Sequence, residues 1–388
     1  MEILEKIKES FKEKFGEQKT SAFFSPGRVN LIGEHTDYNG GHVFPCAISL
    51  GTYAMAANRT DRKCRVYSLN LEDKGVIEFS LDELSYDKSK DWANYPMGVI
   101  KTFMDAGYKS AHGFDIVFYG NLPNGAGLSS SASLEVLTAV ILKDAFSFDI
   151  SMVDMVKLCQ KAENEFIGMN CGIMDQFAVG MGKKDEAILL DCNTLEYRYS
   201  HIALSGCSIV ITNTNKPHVL TETAYNDRRW ESEQALKELK TKLDIHSLGD
   251  LTEEEFEENQ NLITSDLERR RAKHAVYENQ RTIKAVAALE KNDLATFGKL
   301  MHDSHVSLRD DYEVTCKELD TLAELAWAHD GVIGSRMTGG GFGGCTVSLV
   351  ENDKLESFQK DIERDYTKKI GYAPSFYVAN IADGTHKL

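Results

Sequence analysis

The residues with the clearest chemical potential are four consecutive ones, Glu34, His35, Thr36 and Asp37, which place two carboxylates and an imidazole side by side. Arg28 lies just upstream, and glycines flank the cluster in the stretch GRVNLIGEHTDYNGGHVFP. An exposed loop can be this polar without any function. Here, however, apolar residues precede and follow the cluster, so we interpret it as a candidate site at the end of a strand.

A second stretch, GNLPNGAGLSSSASLEV, has the features of a loop that binds phosphate. Its glycines allow the backbone to approach a ligand closely, and the helix predicted over Ser131–Phe146 presents unpaired N–H groups at its N-terminus. An ordinary loop whose serine caps the helix is the alternative. The chain contains no G-x-x-x-x-G-K-[ST], H-R-D or D-F-G sequence, which excludes a Walker loop and a protein kinase.

A third stretch, MTGGGFGGCTVSLV, formally contains the dinucleotide-binding fingerprint at Gly339, Gly341 and Gly344. That fingerprint opens a helix, whereas the alternation of Cys345–Val350 predicts a strand, so we reject a dehydrogenase. Five glycines in the six positions 339–344 still indicate a backbone that packs closely against another segment or a ligand.

A fourth stretch, AENEFIGMNCGIMDQ, contributes two acidic residues in a glycine-containing context. Glu163 lies on the amphipathic helix predicted over Met152–Phe166, and Asp175 follows Gly172. Acidic residues on helices are usually solvated, and either residue alone would be interpreted in that way. Their occurrence in a chain with three other polar, glycine-flanked clusters makes them candidate site residues.

The elements that must position these residues indicate an α+β protein of two domains. We expect strands at 51–58, 64–70, 114–119, 187–191, 208–212, 345–350 and 375–379, and a helix at 354–366. Residues 228–329 are rich in Glu, Lys, Leu and Ala with almost no Gly or Pro, which predicts several helices. We therefore divide the chain into residues 1–205 and 206–388.

The composition disfavours several classes of partner. A net charge of −16 repels nucleic acid and anionic membranes, and no apolar run approaches the ~20 residues of a membrane span. The eight cysteines are scattered without a C-x-x-C pair, and the N-terminus lacks an apolar signal segment, so we expect a cytoplasmic protein with reduced thiols. A small anionic ligand would need a local site of N–H groups, a metal or basic side chains.

Residues 123–133, 171–176 and 338–344 together resemble the three signature motifs of the GHMP small-molecule kinases, in the order that this family has them. The resemblance extends from Phe24 to Ser348. It implies a two-domain α+β kinase fold. The N-terminal domain would be similar to ribosomal protein S5 domain 2, and the C-terminal domain would be ferredoxin-like with a helical insertion.

Within this family, the stretch around Glu34 resembles the sugar-binding signature of the members that phosphorylate galactose. The segment Tyr225–Arg229 also fits, with Thr223 where these members more often have Ser. The resemblance implies transfer of the γ-phosphoryl group of MgATP to the C1 hydroxyl of α-D-galactose. Asp175 would accept the proton of that hydroxyl, and Arg28 would hold Asp175 ionised and stabilise the transferring group. The implied sugar-binding residues are Glu34, His35, Thr36, Asp37, Asp175 and Tyr225.

The resemblance also implies sites for ATP and Mg²⁺. Ser131 and Glu163, both oxygen donors, correspond to the Mg²⁺ ligands. Ser68, Trp92 and Tyr95 correspond to the adenosine pocket, although the two aromatic residues fit a hydrophobic core equally well. The residues that would enclose the ATP phosphates are Gly125, Ala126, Gly127, Leu128, Ser129, Ser130 and Ser131.

Two alternatives stay open within this resemblance. A kinase of N-acetylgalactosamine has closely similar motifs, and some relatives are non-catalytic sensors of sugar and ATP with a changed serine motif. Here the serine motif is intact, as are Arg28, Glu163 and Asp175, which favours an enzyme. We expect a monomer whose partners are galactose and ATP, and neither nucleic acid nor a membrane.

Overall fold

The structure is a computed structural model that describes residues 2–123, 126–202, 206–216 and 221–388, the side chains of 221–223 excepted. Its strands are β1 (Ser21–Asn30), β2 (His42–Val43), β3 (Pro45–Asn58), β4 (Lys63–Ser68), β5 (Ile77–Ser80), β6 (Phe114–Gly120), β7 (Glu186–Asp191), β8 (Tyr197–His201), β9 (Cys207–Asn213), β10 (Val332–Thr338), β11 (Cys345–Glu351), β12 (Ser375–Ala379) and β13 (His386–Lys387). Its α-helices are α1 (Glu2–Phe15), α2 (Asn94–Asp105), α3 (Ser130–Phe146), α4 (Met152–Lys161), α5 (Met174–Met181), α6 (Thr221–Leu239), α7 (Glu253–Asn259), α8 (Asp266–Glu290), α9 (Leu294–Asp310), α10 (Lys317–Ala328) and α11 (Leu355–Ile370).

The first sheet has the strand order β13-β1-β3-β6-β4-β5 and is antiparallel except between β4 and β6. Helices α2, α3 and α4 cover one face, and α1 covers the other. In α1, Ile3, Ile7 and Phe11 recur every fourth residue, which gives this highly charged helix one apolar stripe to bury. Strand β1 is buried from residue 23 to residue 30, so the strand that carries Arg28 is firmly held.

The second sheet is antiparallel with the order β10-β11-β9-β12. Along the chain these strands follow as β9, a helical region, β10, β11, α11 and β12. The first strand therefore lies between the third and the fourth, which is the ferredoxin-like βαββαβ arrangement. Helices α6 to α10 lie between β9 and β10, in the region for which the sequence predicts several helices.

The end of the chain differs from the predicted division into residues 1–205 and 206–388. Strand β13 pairs with β1, and Ile381 forms a bridge with Ile48 of β3. The last residues of the chain therefore belong to the first sheet. A two-residue strand has no periodicity that a sequence pattern could detect.

The predicted strands and helices are confirmed, with one informative difference in the helix at 152–166. Helix α4 ends at Lys161, and a π-helical turn, Ala162–Ile167, continues from it and carries Glu163. Such π-helical turns occur frequently at functional sites. In the part of the chain that the structure describes, no helix is both long and apolar enough to cross a membrane.

Candidate active site

The four polar stretches of the sequence meet in one cavity. It lies where the end of β1, the loop before α3, the start of α5 and the loop after β10 come together. Among the residues that line it are Arg28, Glu34, His35, Asp37, Ala126, Gly127, Leu128, Ser129, Ser130, Ser131, Glu163, Asp175, Tyr225, Gly339 and Gly340. The fold thus assembles most of the predicted site from segments that are far apart in sequence.

Asp175 lies in the first turn of α5 and forms a bidentate ion pair with Arg28 of β1. Arg28 donates from Nε to Oδ1 at 2.7 Å and from Nη2 to Oδ2 at 2.8 Å, and Ser129 Oγ donates to Oδ2 at 2.6 Å. The Arg28 side chain is 4% exposed and that of Asp175 is 30% exposed, so the carboxylate is the accessible part of the pair. Ile173, not Asp175, is the N-cap of the helix. These contacts fix the orientation of the carboxylate.

Asp37 is half-buried close to Asp175. Burial raises the pKa of Asp37 to about 6, and the charge of Asp175 adds to the increase, while the N–H groups of Tyr38 and Met174 donate to its carboxylate and oppose it. Residue 172 must be glycine for this arrangement, because a Cβ there would lie 1.9 Å from Asp37 Oδ2. With this pKa, Asp37 changes its charge near pH 6.

The buried carboxylate of Glu34 connects two of the predicted stretches by hydrogen bonds. They are the sugar stretch (residues 27–45) and the third glycine-rich stretch (residues 337–350). Oε1 of Glu34 accepts from Gly339 N at 2.7 Å and from Thr338 Oγ1 at 3.2 Å. Its Oε2 accepts from Arg336 Nη1 at 2.9 Å and from the side-chain amide of Asn30. Burial raises the pKa of Glu34, and the charge of Arg336 is the main opposing influence.

His35 is a neutral part of the cavity wall. Burial lowers its pKa to about 3, with further lowering by nearby cationic groups. Its Nε2 lies 3.2 Å from the carbonyl oxygen of Gly340, which can only accept, so this nitrogen carries the proton. Its Nδ1 then accepts from the Tyr38 hydroxyl at 2.7 Å. The ring of Tyr225 packs beside it, with centroids 5.5 Å apart.

Thr36 does not reach the cavity with its side chain. The hydroxyl is fully buried, 2.8 Å from the carbonyl oxygen of Gly33 and 2.7 Å from that of His42. The structure therefore does not bring the side chain of Thr36 together with the other residues predicted to bind sugar. Its hydroxyl bonds to the backbone and shapes the loop that presents the neighbouring residues.

The glycine- and serine-rich loop before α3 faces the cavity, as predicted for a phosphate site. Gly125, one of the residues predicted to enclose the phosphates, lies outside the described residues. Ser129 is the N-cap of α3, yet its side chain makes no capping hydrogen bond and donates to Asp175 instead. The alternative of an ordinary loop whose serine caps the helix is therefore not supported, because this hydroxyl has a partner across the cavity.

The third glycine-rich stretch packs directly on this loop. Gly339 has a φ of +86°, and a Cβ there would lie 2.8 Å from the carbonyl oxygen of Gly127. At Gly341, with a φ of +83°, a Cβ would lie 2.2 Å from the carbonyl oxygen of Val314. The predicted close packing of the backbone is confirmed, and a strand, β11, follows this stretch where a dinucleotide site would need a helix.

The predicted metal ligands Ser131 and Glu163 lie together on the wall of the cavity. Burial raises the pKa of Glu163, the charge of Asp175 acts in the same direction, and the hydroxyl of Ser131, which donates to this carboxylate, opposes the increase. The amide nitrogen of Gln176 donates to both Glu163 and Glu135. Oε1 of Glu135 is buried and has no hydrogen-bond partner among the described residues.

Burial and mutual repulsion disfavour the ionised forms of these neighbouring carboxyl groups, and a bound cation would stabilise them. Within the described ranges, no group of three or more His, Cys, Asp and Glu side chains forms a complete metal cluster. Mg²⁺ does not require one, because it usually keeps several waters and binds one or two protein groups together with substrate phosphates. The residues present therefore fit Mg²⁺.

A second cavity adjoins the first at the start of α3, and Ser130 and Ser131 line both. Trp92 packs edge-on against Phe118 at 5.7 Å between ring centroids, so it contributes to the core as well as to the cavity wall. The walls of this second cavity include all of the residues predicted for adenosine, Ser68, Trp92 and Tyr95.

Sequence reasoning missed three residues that support the site. They are Ser129 as a partner of the predicted catalytic aspartate, Glu135 behind the predicted metal ligands, and Arg336 behind Glu34. Glu135 follows Ser131 by four positions on α3, so helical spacing could have found it. No local pattern could have paired Arg336 with Glu34, because the two lie in different halves of the chain.

Comparison with known proteins agrees with this architecture. Residues 94–183 match the GHMP kinases N terminal domain, and residues 285–368 match the GHMP kinases C terminal domain. The crystal structure of Methanococcus jannaschii mevalonate kinase is similar in fold, with a TM-score of 0.66 and 18% identity over 95% of this chain and 100% of that chain. Fold and site together define a small-molecule kinase of the GHMP class.

The more similar relatives narrow the assignment. Residues 9–58 match the galactokinase galactose-binding signature. A galactokinase of Clostridium beijerinckii is 61% identical over 388 residues, which is 100% of both chains. The crystal structure of Lactococcus lactis galactokinase complexed with galactose has a TM-score of 0.98 and 50% identity, and the match covers 100% of both chains. The chain belongs to the galactokinase family.

Proposed function

We propose that the protein transfers the γ-phosphoryl group of MgATP to the C1 hydroxyl of α-D-galactose, giving α-D-galactose 1-phosphate and ADP. It is an ATP-dependent sugar kinase by its family. One observation carries the assignment of the reaction to this cavity. The Asp175–Arg28 pair lies between the carboxylates of the sugar stretch and the loop before α3.

In this proposal, Asp175 orients the C1 hydroxyl and accepts its proton as that oxygen attacks the γ-phosphorus. Phosphoryl transfer passes through a loose transition state, in which positioning and electrostatic stabilisation matter more than strong base catalysis. Arg28 supports both roles, because its two hydrogen bonds hold the carboxylate in one orientation. Its positive charge also offsets the negative charge of the transferring group.

We assign the sugar contacts to Glu34, His35, Asp37 and Tyr225, whose side chains line the same cavity. Carboxylates that accept from neighbouring hydroxyls distinguish the stereochemistry of those hydroxyls. A site built on hydrogen bonds also rejects analogues that leave its buried groups unpaired. Because both ring nitrogens of His35 are engaged by protein atoms, we assign its ring a shape-defining contact.

We assign the phosphates of ATP to the loop 125–131 and the start of α3, and adenosine to the adjoining cavity with Ser68, Trp92 and Tyr95. Ser131 and Glu163 would hold Mg²⁺. When bound, this ion neutralises charge on the β- and γ-phosphates. The part played by Gly125 rests on the sequence alone.

We further infer a monomeric enzyme that works in the cytoplasm, where ATP is available. All eight cysteines are free, as expected for a reducing compartment. We also keep the division of the chain between residues 205 and 206 as a proposal, with the last residues, which pair with β1 and β3, assigned to the first domain. It is supported by the change from the three-stranded sheet β2-β7-β8 to the second sheet between β8 and β9.

The experiment that tests this function measures ADP release at saturating MgATP with galactose, N-acetylgalactosamine, glucose or no sugar. We expect release that depends on galactose, with galactose 1-phosphate as the second product. Stronger release with N-acetylgalactosamine would favour a kinase of that sugar. Galactose binding without ADP release would favour a non-catalytic sensor, and neither binding nor release would overturn the proposal.

A further inference from the structure

Arg336 on β10 is among the largest fully buried side chains of the described chain. Its guanidinium lies between two carboxylates, those of Glu34 and Glu278, which are 1% and 0% exposed. Nη1 donates to Glu34 Oε2 at 2.9 Å, and Nη2 lies 3.9 Å from Glu278 Oε1. A single buried arginine thus connects a residue of the sugar stretch with a residue of α8.

Hydrogen bonds from Nε and Nη1 restrain the orientation of the guanidinium, while its Nη2 is buried without a hydrogen-bond partner among the described residues. Nε of Arg336 donates to Ser304 Oγ at 3.1 Å, and Nη1 also donates to the carbonyl oxygen of Asn30 at 3.2 Å. The hydroxyl of Ser304 in turn donates to Glu278 Oε1 at 2.5 Å. Because the guanidinium is planar and rigid, bonds on several of its edges fix the position of the nitrogen that contacts Glu34.

Helix α8 holds the backbone on both sides of the Glu34 side chain. The N–H of Gly33 donates to Glu278 Oε1 at 3.0 Å, and Nε2 of His274 donates to the carbonyl oxygen of Glu34 at 3.1 Å. Arg336 is the charged donor among the four groups that hold the rotamer of the Glu34 carboxylate, the others being Asn30, Thr338 and the N–H of Gly339. Residues of the C-terminal half therefore contact both the side chain and the backbone of Glu34, and Asn30 of β1 adds one bond to the side chain.

Stability alone explains such an arrangement poorly. Removing charges from water is costly, and well-packed apolar groups often replace a buried ion array without loss of stability. A geometric role accounts for it better, because Glu34 lines the cavity. We propose that Arg336 is a positioning residue for sugar recognition, which holds the carboxylate of Glu34 in the orientation that faces galactose. This inference rests on the proposed role of Glu34 in binding galactose.

The test replaces Arg336 in the full-length enzyme and compares the two substrates. For Arg336→Met we expect the KM for galactose to rise by at least ~10-fold, since a lost hydrogen bond to a charged group has about this effect. The KM for MgATP should stay within ~2-fold of the wild-type value, because only sugar binding loses an interaction. Parallel increases of both KM values, or an unchanged KM for galactose, would overturn the inference.

Arg281→Met is the matched control. Arg281 donates to Oε2 of Glu278, so its loss breaks an ion pair of the same carboxylate and leaves the contact between Arg336 and Glu34 in place. We expect this variant to lose thermal stability and to keep the wild-type KM for galactose. A KM for galactose raised as much as in Arg336→Met would show a general effect of breaking the buried ion pairs, and would overturn the inference.

If Arg336→Met does not fold, Ser304→Ala tests the positioning role of Arg336 instead. This variant removes only the hydroxyl between Arg336 and Glu278. An increase in the KM for galactose of ~3-fold or more, with an unchanged KM for MgATP, would support the positioning role. Unchanged KM values would overturn it. Failure of the proposed function is distinguishable, since the wild type itself would then show no galactose-dependent ADP release.

Discussion

Asp37 is a residue whose chemistry conflicts with its surroundings. It is half-buried near the negative charge of Asp175, and desolvation and that charge raise the pKa of its carboxyl from 3.8 to about 6. An ionised carboxylate in this position destabilises the folded state. A role in binding sugar hydroxyls explains why it is there, because ionised acceptors form the stronger hydrogen bonds. Functional residues commonly reduce stability in this way.

The raised pKa should appear in the pH dependence of sugar use. We expect kcat/KM for galactose, measured at saturating MgATP, to fall as the pH decreases through about 6, because protonated Asp37 is a weaker acceptor. Asp37→Asn should have a lower kcat/KM for galactose at pH 8 and should not show the further decrease in kcat/KM around pH 6. If kcat/KM of Asp37→Asn still decreases around pH 6 as in the wild type, another group is responsible for the titration.

The same residue should affect stability in a pH-dependent way. The pKa of Asp37 is about 6 in the folded state and 3.8 in the unfolded state. Asp37 therefore makes its full favourable contribution to folding below pH 3.8, and this contribution is lost as the pH rises through about 6. We expect Asp37→Asn to increase the free energy of unfolding by up to ~3 kcal/mol at pH 8 and by much less at pH 4, at ~1.4 kcal/mol per pKa unit. Denaturant unfolding at the two pH values measures this difference. Equal effects at both would show that ionisation is not the cause.

At the scale of elements, the site depends on loops in which a glycine leaves room for a group of a neighbouring loop. The closest approach joins the loop before α5 to the sugar stretch, where a Cβ on residue 172 would lie 1.9 Å from Asp37 Oδ2 and 2.2 Å from its Cγ. Backbone geometry, and not only side-chain chemistry, therefore sets the position of Asp37.

Gly172→Ala tests this dependence. The added methyl group should displace the Asp37 carboxylate and raise the KM for galactose by at least ~10-fold, the effect of one lost charged hydrogen bond. The KM for MgATP should change much less. Gly168→Ala is the control, because it strains the same loop at a φ of +91° but its Cβ would meet nothing within 4 Å. Equal KM values for galactose in the two variants would contradict a specific contact with Asp37.

Periodicity predicted the longer elements well and the short ones poorly. The helix predicted over 131–146 is α3 at Ser130–Phe146, and the strand predicted over 375–379 is β12. These segments carry enough apolar residues for a pattern to be visible. Strands β2 and β13 have two residues each, and their pairing is decided by neighbouring strands. The π-helical turn after α4 has no known sequence signal of its own.

At the scale of the whole molecule, the site is assembled from both halves of the chain. The sugar stretch and the loop before α3 belong to the first half, while Tyr225 and Gly339 belong to the second. The motifs identified most of the lining residues, because each motif is local in sequence. They could not predict that Ser129 contacts Asp175 or that Arg336 contacts Glu34, because these contacts depend on how the segments pack.

The most direct measurement compares galactose-dependent ADP release by the wild type and by Asp175→Asn at saturating MgATP. Asn has the shape of Asp but cannot accept a proton at neutral pH. We expect the variant to keep its fold and its nucleotide binding and to lose kcat by at least ~10²-fold, the lower range for loss of a general base. Asp105→Asn, at the exposed end of α2, is the control and should retain full activity. A folded Asp175→Asn variant with nearly normal kcat would contradict the assignment of Asp175 as the catalytic carboxylate.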